Sequence, residues 1–203
     1  MSRVKVNFTT KFDKLPEVSA AVETLGGRKV KVGALKGENA WLAGIHEYGC
    51  KIRAKKAKFL TVPVCSEAAG KKASSFSDLF VCTSKKGLKF LARNENGNLK
   101  LYYWLTPSVT IPERSFLRSG HDANAEKIMK KCEKALGVVI DGKMSIDTWL
   151  DMYGQMLSTA IKTYMRDLSS PPNSRITKRN KGSSNPLVDT GGLVESITWE
   201  REK

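Results

Sequence analysis

The spacing of apolar residues changes several times along the chain, and each change predicts an element. Leu15, Val18, Val22 and Leu25 recur three or four apart, as on one face of a helix, and Gly26-Gly27 ends the run. Val30, Val32 and Ala34 then alternate with Lys29, Lys31 and Gly33, the period of a half-buried strand. Asn39 is placed to cap a short helix over Ala40 to Tyr48, with Gly49 as its left-handed C-terminal residue. With residues 4–8 as a short strand, the predicted order to this point is strand, helix, strand, helix.

From 51 to 110 the pattern is that of strands. Phe59 to Val64 and Leu79 to Thr83 are short apolar runs joined by a link rich in Ser, Ala and Lys. Leu88 to Arg93 and Leu99 to Leu105 flank Asn94-Glu95-Asn96-Gly97-Asn98, and Asn-Gly between apolar runs predicts a hairpin because both residues tolerate positive φ. Past Pro112 the period is helical again. Ala125, Ile128, Met129, Cys132, Ala135 and Leu136 share a face, with Ser119 or Asp122 as candidate cap. A longer helix opens at Ser145, and its stripe of Ile146, Trp149, Leu150, Tyr153, Met156, Leu157, Ala160, Ile161, Tyr164 and Leu168 should pack against a sheet or a neighbouring subunit. Pro171-Pro172 ends it. Residues 173–185 carry basic residues and little apolar character and read as a mobile basic loop, after which Leu193, Val194, Ile197 and Trp199 form a last strand. Together these elements predict an α+β fold: a mixed or antiparallel sheet packed against two long helices, with a core from 1–53 and 106–203. The stretch 54–105 is an inserted basic β-rich arm.

Composition narrows the class. A chain of 203 residues can bury a core. No apolar run approaches the roughly 20 residues of a membrane span, so no membrane partner is expected. Met1-Ser2-Arg3-Val4-Lys5 lacks the apolar stretch of a secretory leader, and a soluble, intracellular protein is expected at synthesis. The net charge of +15 is uneven: residues 51–110 hold twelve Lys/Arg against three Asp/Glu. That excess suits a polyanion or an acidic protein neighbour, with Lys55, Lys56, Lys58, Arg175, Lys178, Arg179 and Lys181 as candidate contacts; a solvated basic face is the plainer alternative. The four cysteines are scattered without a Cys-x-x-Cys pair and only two histidines are present, so reduced thiols, no zinc and no cofactor are expected.

Asp189-Thr190-Gly191 is the triplet that carries the catalytic carboxylate of aspartic proteases. That chemistry needs a second carboxylate about 3 Å away sharing one proton, which a homodimer could supply. Asp189 stands only 14 residues before Lys203, too few for the strands and flap such an enzyme requires. The alternative is a tight turn at Thr190-Gly191 with Asp189 accepting backbone N–H bonds. Gly33 to Gly37 lacks the Gly-Lys-Ser/Thr ending of a phosphate loop, and no nucleophile elbow accompanies His46 or His121. No enzymatic activity is expected. A nucleic-acid-binding module has charge in its favour but no helix-turn-helix or zinc-finger pattern, and Tyr102, Tyr103 and Trp104 fit a strand as well as a stacking platform.

Three strings stand in order: Ile45-His46-Glu47-Tyr48-Gly49, Ile111-Pro112-Glu113-Arg114-Ser115-Phe116-Leu117-Arg118, and Pro186-Leu187-Val188-Asp189-Thr190-Gly191-Gly192-Leu193 with Ser196-Ile197. Pro112 fixes an extended approach, and Phe116 and Leu117 can anchor the following helix. Arg114 and Arg118, one helical turn apart, suit carboxylates on a neighbour or pair within the chain, for instance with Glu47 or Asp189. The series resembles the neck and tail-completion proteins (head–tail joining, minor tail, virion morphogenesis) of long-tailed double-stranded DNA phages. Their compact members pass from the Glu-Tyr-Gly turn to the Ile-Pro string with little between. The resemblance implies a non-enzymatic structural virion protein that forms a ring at the head–tail junction or the top of the tail tube. It implies a head connector or adaptor and tail terminator or tube proteins as partners, with passing contact to DNA in the lumen. It implies a location in the virion, and in the host cytoplasm during assembly. It marks His46, Glu47, Tyr48, Gly49, Pro112, Arg114, Phe116, Arg118, Asp189, Thr190, Gly191 and Ser196 as motif or interface residues.

Overall fold

A computed structural model describes residues 15–202, and the strand expected at 4–8 lies outside them. The fold is α+β and its sheets are antiparallel. Its axis is the helix α5 (Ile146–Asp167), opened by Ser145, whose Oγ accepts from the backbone N–H of Thr148. Leu150, Leu157 and Ile161 of its stripe are buried, and so is Met165, which the stripe did not include. Two strands, β1 (Lys29–Ala34) and β8 (Ile197–Glu202), pair with each other and lie along α5. The helices α3 (Phe116–Asp122) and α4 (Ala125–Ile140) pack on other sides of it. Phe116, Cys132, Met165 and Ile197 are fully enclosed where these layers meet. Removing a large apolar side chain from water stabilises by roughly 1.5–3 kcal/mol, so this cluster holds the core. Close contact also needs an absence of bulk: a Cβ on Gly154 of α5 would lie 2.7 Å from the Trp199 ring of β8.

The first helix, α1 (Leu15–Gly26), follows the sequence pattern, and α2 (Gly37–Tyr48) begins earlier than expected. Asn39 does not cap it. That residue sits inside the first turn and donates from Nδ2 to Gly192 O at 3.4 Å. The start of α4 differs likewise: Ser119 and Asp122 are part of α3, and Asn124 stands before α4 with its amide turned to Gly120 O.

Between α2 and α3 the chain leaves the core and returns. The strands β2 (Cys50–Arg53) and β7 (Ser108–Ile111) form a ladder, extended by Ala54 N–H donating to Pro107 O at 3.2 Å. Beyond it lie β3 (Leu60–Pro63), β4 (Phe80–Thr83), β5 (Lys89–Glu95) and β6 (Asn98–Thr106) in the order β3-β6-β5-β4. The predicted hairpin joins β5 and β6, with Asn96 at φ 53° and Gly97 at φ 84°. A bulge follows: Leu91 faces Tyr103 while Ala92 faces Leu101, which leaves Tyr102 without a partner on β5. Tyr102 and Tyr103 therefore turn to the same face. There they meet Phe76 edge-on at 5.1 and 6.2 Å, and the Tyr103 hydroxyl donates to Lys71 O at 2.9 Å. The link between β3 and β4 covers that face.

Two further expectations are corrected. Residues 175–181, expected as loop, form a helix, α6 (Arg175–Lys181), with Ser174 Oγ accepting from Thr177 N–H and Gly182 closing it at φ 69°. A seven-residue basic helix is weak alone. Here it is supported from outside, as Asn180 Nδ2 donates to Pro63 O at 2.9 Å. Leu193 and Val194 belong to the short helix α7 (Gly192–Glu195) and not to the last strand, which starts at Ile197. The four cysteines are free, with Cys132 buried and the others half-buried. No described helix is long and apolar enough to cross a membrane.

Candidate functional site

The first two strings form one cluster. Glu47, 2% exposed, projects from the last turn of α2 toward the N-terminus of α3. Its Oε2 accepts from Leu117 N–H at 2.8 Å, and its Oε1 accepts from Arg118 N–H at 3.1 Å, Ser115 Oγ at 3.1 Å and Arg118 Nε at 2.9 Å. A carboxylate there satisfies N–H groups that have no partner within the helix and meets the positive end of its dipole. Arg118 also donates from Nη2 to Glu113 at 2.7 Å and lies over the Tyr48 ring, 4.9 Å from its centroid. The hydrogen bond that Arg118 donates to Glu47 raises the arginine's pKa. Next to Tyr48, Gly49 adopts φ 67° and ψ 165°, outside the left-handed helical region expected for it. Its Cβ position would be 2.7 Å from Glu113 N and 2.9 Å from Ile111 O. Only glycine allows the Pro112 segment to pass so close. Phe116 then seats α3 in the core.

Arg114 joins the second string to the third. It is 5% exposed and precedes α3, so it does not share a face with Arg118, contrary to the helical spacing read from sequence. Its backbone N–H donates to His46 O at 2.7 Å. Its guanidinium donates to Pro171 O at 2.9 Å, Pro172 O at 3.4 Å and Asn173 Oδ1 at 3.3 Å. It also donates to His46 Nδ1 at 3.3 Å, which fixes that nitrogen as the acceptor because arginine has no lone pair to offer. Burial, then Arg114 and Lys181, push the His46 pKa down to about 4. Both arginines are thus engaged within the chain, Arg114 buried and Arg118 half exposed.

The third string is held by a residue that the sequence reading did not single out. Asn185 Oδ1 accepts from Leu187 and Val188 N–H, each at 2.8 Å, and its Nδ2 donates to Met165 O and Arg166 O at the end of α5. Asn173 Nδ2 donates to Asn185 O, completing the path from Arg114. The side chain of Asn185 does what was expected of Asp189, whose exposed carboxylate accepts no hydrogen bond from a described residue. An Asn before a proline was the available signal for such a turn. Gly191, at φ 90°, leads into α7, and Ser196 Oγ donates to Leu193 O. Thr190 and Asp189 line a cleft of about 370 Å³ with His46, Asn173 and Lys181.

The candidate polyanion contacts divide. Lys55, Lys56 and Lys58 are exposed between β2 and β3, and Arg175, Lys178 and Arg179 are exposed on α6. Lys181 is not available in the same way: its Nζ donates to Asn185 O at 3.0 Å, and burial lowers its pKa. Among the described residues no group of three or more His, Cys, Asp or Glu side chains could hold a metal ion. No family model matches the chain, and no curated protein and no solved structure matches it.

Proposed function

We propose that this chain is a structural, non-enzymatic virion protein of a tailed phage, a ring-forming subunit of the neck that completes the tail and joins it to the head. The observation that carries the reading is the convergence just described. Three strings far apart in sequence meet through Glu47, Arg114 and Asn173, so they act as one structural unit, as a family signature should. The polar groups of this unit hold one another and leave little free for turnover. Its partners in this reading are further copies of itself, a head connector or adaptor, and a tail terminator or tube protein, with genomic DNA passing the lumen. Size-exclusion chromatography with light scattering, followed by imaging of particles, tests it: a multimer and a neck location are expected. A strict monomer absent from purified particles overturns it.

A second reading, a basic nucleic-acid-binding module, draws on the exposed cations Lys55, Lys56, Lys58, Arg175, Lys178 and Arg179. It requires DNA binding that weakens by about 10³-fold or more between 50 and 200 mM salt if about six phosphates are contacted. No binding at low salt removes it.

A further inference from the structure

On the face opposite Tyr102 and Tyr103 the arm sheet leaves large apolar side chains exposed around Ala92, which is itself buried. Phe80, Ala92 and Leu101 stand in register on that side and Leu99 lies two residues from Leu101 along β6. Leu99 is 58% exposed and Phe80 46%. Where this face meets α6 there is a groove of about 750 Å³, with Phe90, Leu99 and Leu101 along the sheet and Arg175, Ile176 and Arg179 along the helix. That volume is in the range of roughly 300–1,000 Å³ of clefts that enclose small ligands. Arg175 and Arg179, one helical turn apart, pair with no described residue. Glu95 and Lys100, which pair with each other, also line it, so the groove is apolar at its base and its unpaired charges are Arg175 and Arg179.

A second feature fits it. On α2, Glu38, Trp41, Ile45 and Tyr48 follow at spacings of three, four and three, within an arc of roughly 80° at 100° per residue. This arc is opposite Ala43 and Glu47, which face inward. Trp41 is 72% exposed and Tyr48 69%. Two aromatic side chains on one outward stripe are the anchors by which helices enter grooves, and tryptophan is enriched among residues that dominate binding energy. The helix itself carries no lysine or arginine, Glu38 lies at one end of the stripe, and Arg118, over the Tyr48 ring at the other end, is paired with Glu47 and Glu113. Two other exposed apolar side chains stand beside cations: Ile52 lies between Lys51 and Arg53, and Met129 lies next to Lys130. Residues 1–14 carry Arg3, Lys5, Lys11 and Lys14 against Asp13, and would be repelled by the arginines. Val22 of α1 is exposed, and α1 itself contains no aromatic residue.

We infer that the α2 stripe of one copy docks in the arm–α6 groove of the next, with Trp41 and Tyr48 against the leucines and Glu38 at Arg175 and Arg179. The contact joins two different surfaces, so it repeats head-to-tail and closes a ring when the rotation permits. It rests on the ring-subunit reading and supplies the contact which that reading needs.

Two variants of the full chain test it, Trp41→Ala and the double change Arg175→Glu/Arg179→Glu, all at exposed positions. Each alone should weaken self-association by about tenfold or more in sedimentation velocity, with the circular dichroism of wild type. Mixed one to one, they should form a dimer and nothing larger, since each supplies the surface that the other lacks. Glu38→Arg combined with Arg175→Glu/Arg179→Glu should recover association that the double change alone loses. Wild-type association by either variant, or no dimer in the mixture, overturns the inference and leaves the ring reading standing. So does loss of DNA binding without loss of association in the double variant. A wild-type chain that never self-associates overturns both.

Discussion

Replacing Glu47 by Gln tests the central cluster with almost no change of shape. The carboxylate accepts from two backbone N–H groups of α3, from the Ser115 hydroxyl and from Arg118. An amide can face only one oxygen to this ring of donors. With its oxygen toward Arg118, the NH2 group meets Leu117 N–H; flipped, it meets Arg118 N–H and Nε–H. One buried donor left facing another costs about 1–3 kcal/mol, and the remaining bonds lose their charge assistance, roughly half their strength. The sum is about 3 kcal/mol, which lowers the urea midpoint by about 1–1.5 M at a slope of about 2–3 kcal/mol/M. Arg118→Ala is the control. Its side chain is half exposed, so if capping of α3 rather than the ion pair is the main contribution, its loss lowers the midpoint much less. Amide exchange at Leu117 and Arg118 should accelerate in the Gln variant ahead of the rest of the core. A Gln variant within about 0.5 kcal/mol of wild type, or an equal loss in Arg118→Ala, refutes the reasoning.

Three other outcomes are expected. Gly49→Ala places a methyl at φ 67° against the Glu113 backbone and should cost more than about 3 kcal/mol, read as a collapse of the thermal transition. Gly154→Ala gains about 1 kcal/mol of helix propensity but meets the Trp199 ring at 2.7 Å, an overpacking cost of about 1–3 kcal/mol. It should lower Tm, and the sign should reverse in a Trp199→Leu background. His46 stays neutral in the fold to about pH 4 but titrates near 6.5 when unfolded, so the unfolded chain binds more protons in that window. Stability should therefore fall as pH drops from about 6.5 to 4, and urea titrations of His46→Gln should show a flatter dependence.

Local signals explain what was legible in the sequence. Asn96-Gly97 gave the hairpin, Ser145 gave the start of α5, and alternation gave β1 to the residue. The helix α6 was missed because Ile176 is its lone large apolar residue, although Ser174 and Gly182 already marked its ends. Leu193 and Val194 read as strand because apolar pairs beside a strand carry no period of their own. At the site, the types of residue could be read but not their engagements. Glu47 caps a helix that begins about seventy residues later, and Arg114 bonds to carbonyls that no side-chain pattern announces. Pairing of Arg118 with Glu47 was among the options because opposite charges can be matched by eye.

The ladder of β2 and β7 has a consequence for how such a chain can vary. Arg53 and Ser108 are directly opposite in an antiparallel pair, and a two-residue turn is enough to join strands so placed. Replacing residues 54–107 by such a turn is therefore a geometrically simple deletion. It would shorten a loop whose closure entropy changes only slowly with length, and would leave the core strands and helices where they are. What would change is α6, which leans on Pro63 and would lose that support. A chain trimmed in this way should keep the Glu47–Arg114 junction while the basic helix beside it melts.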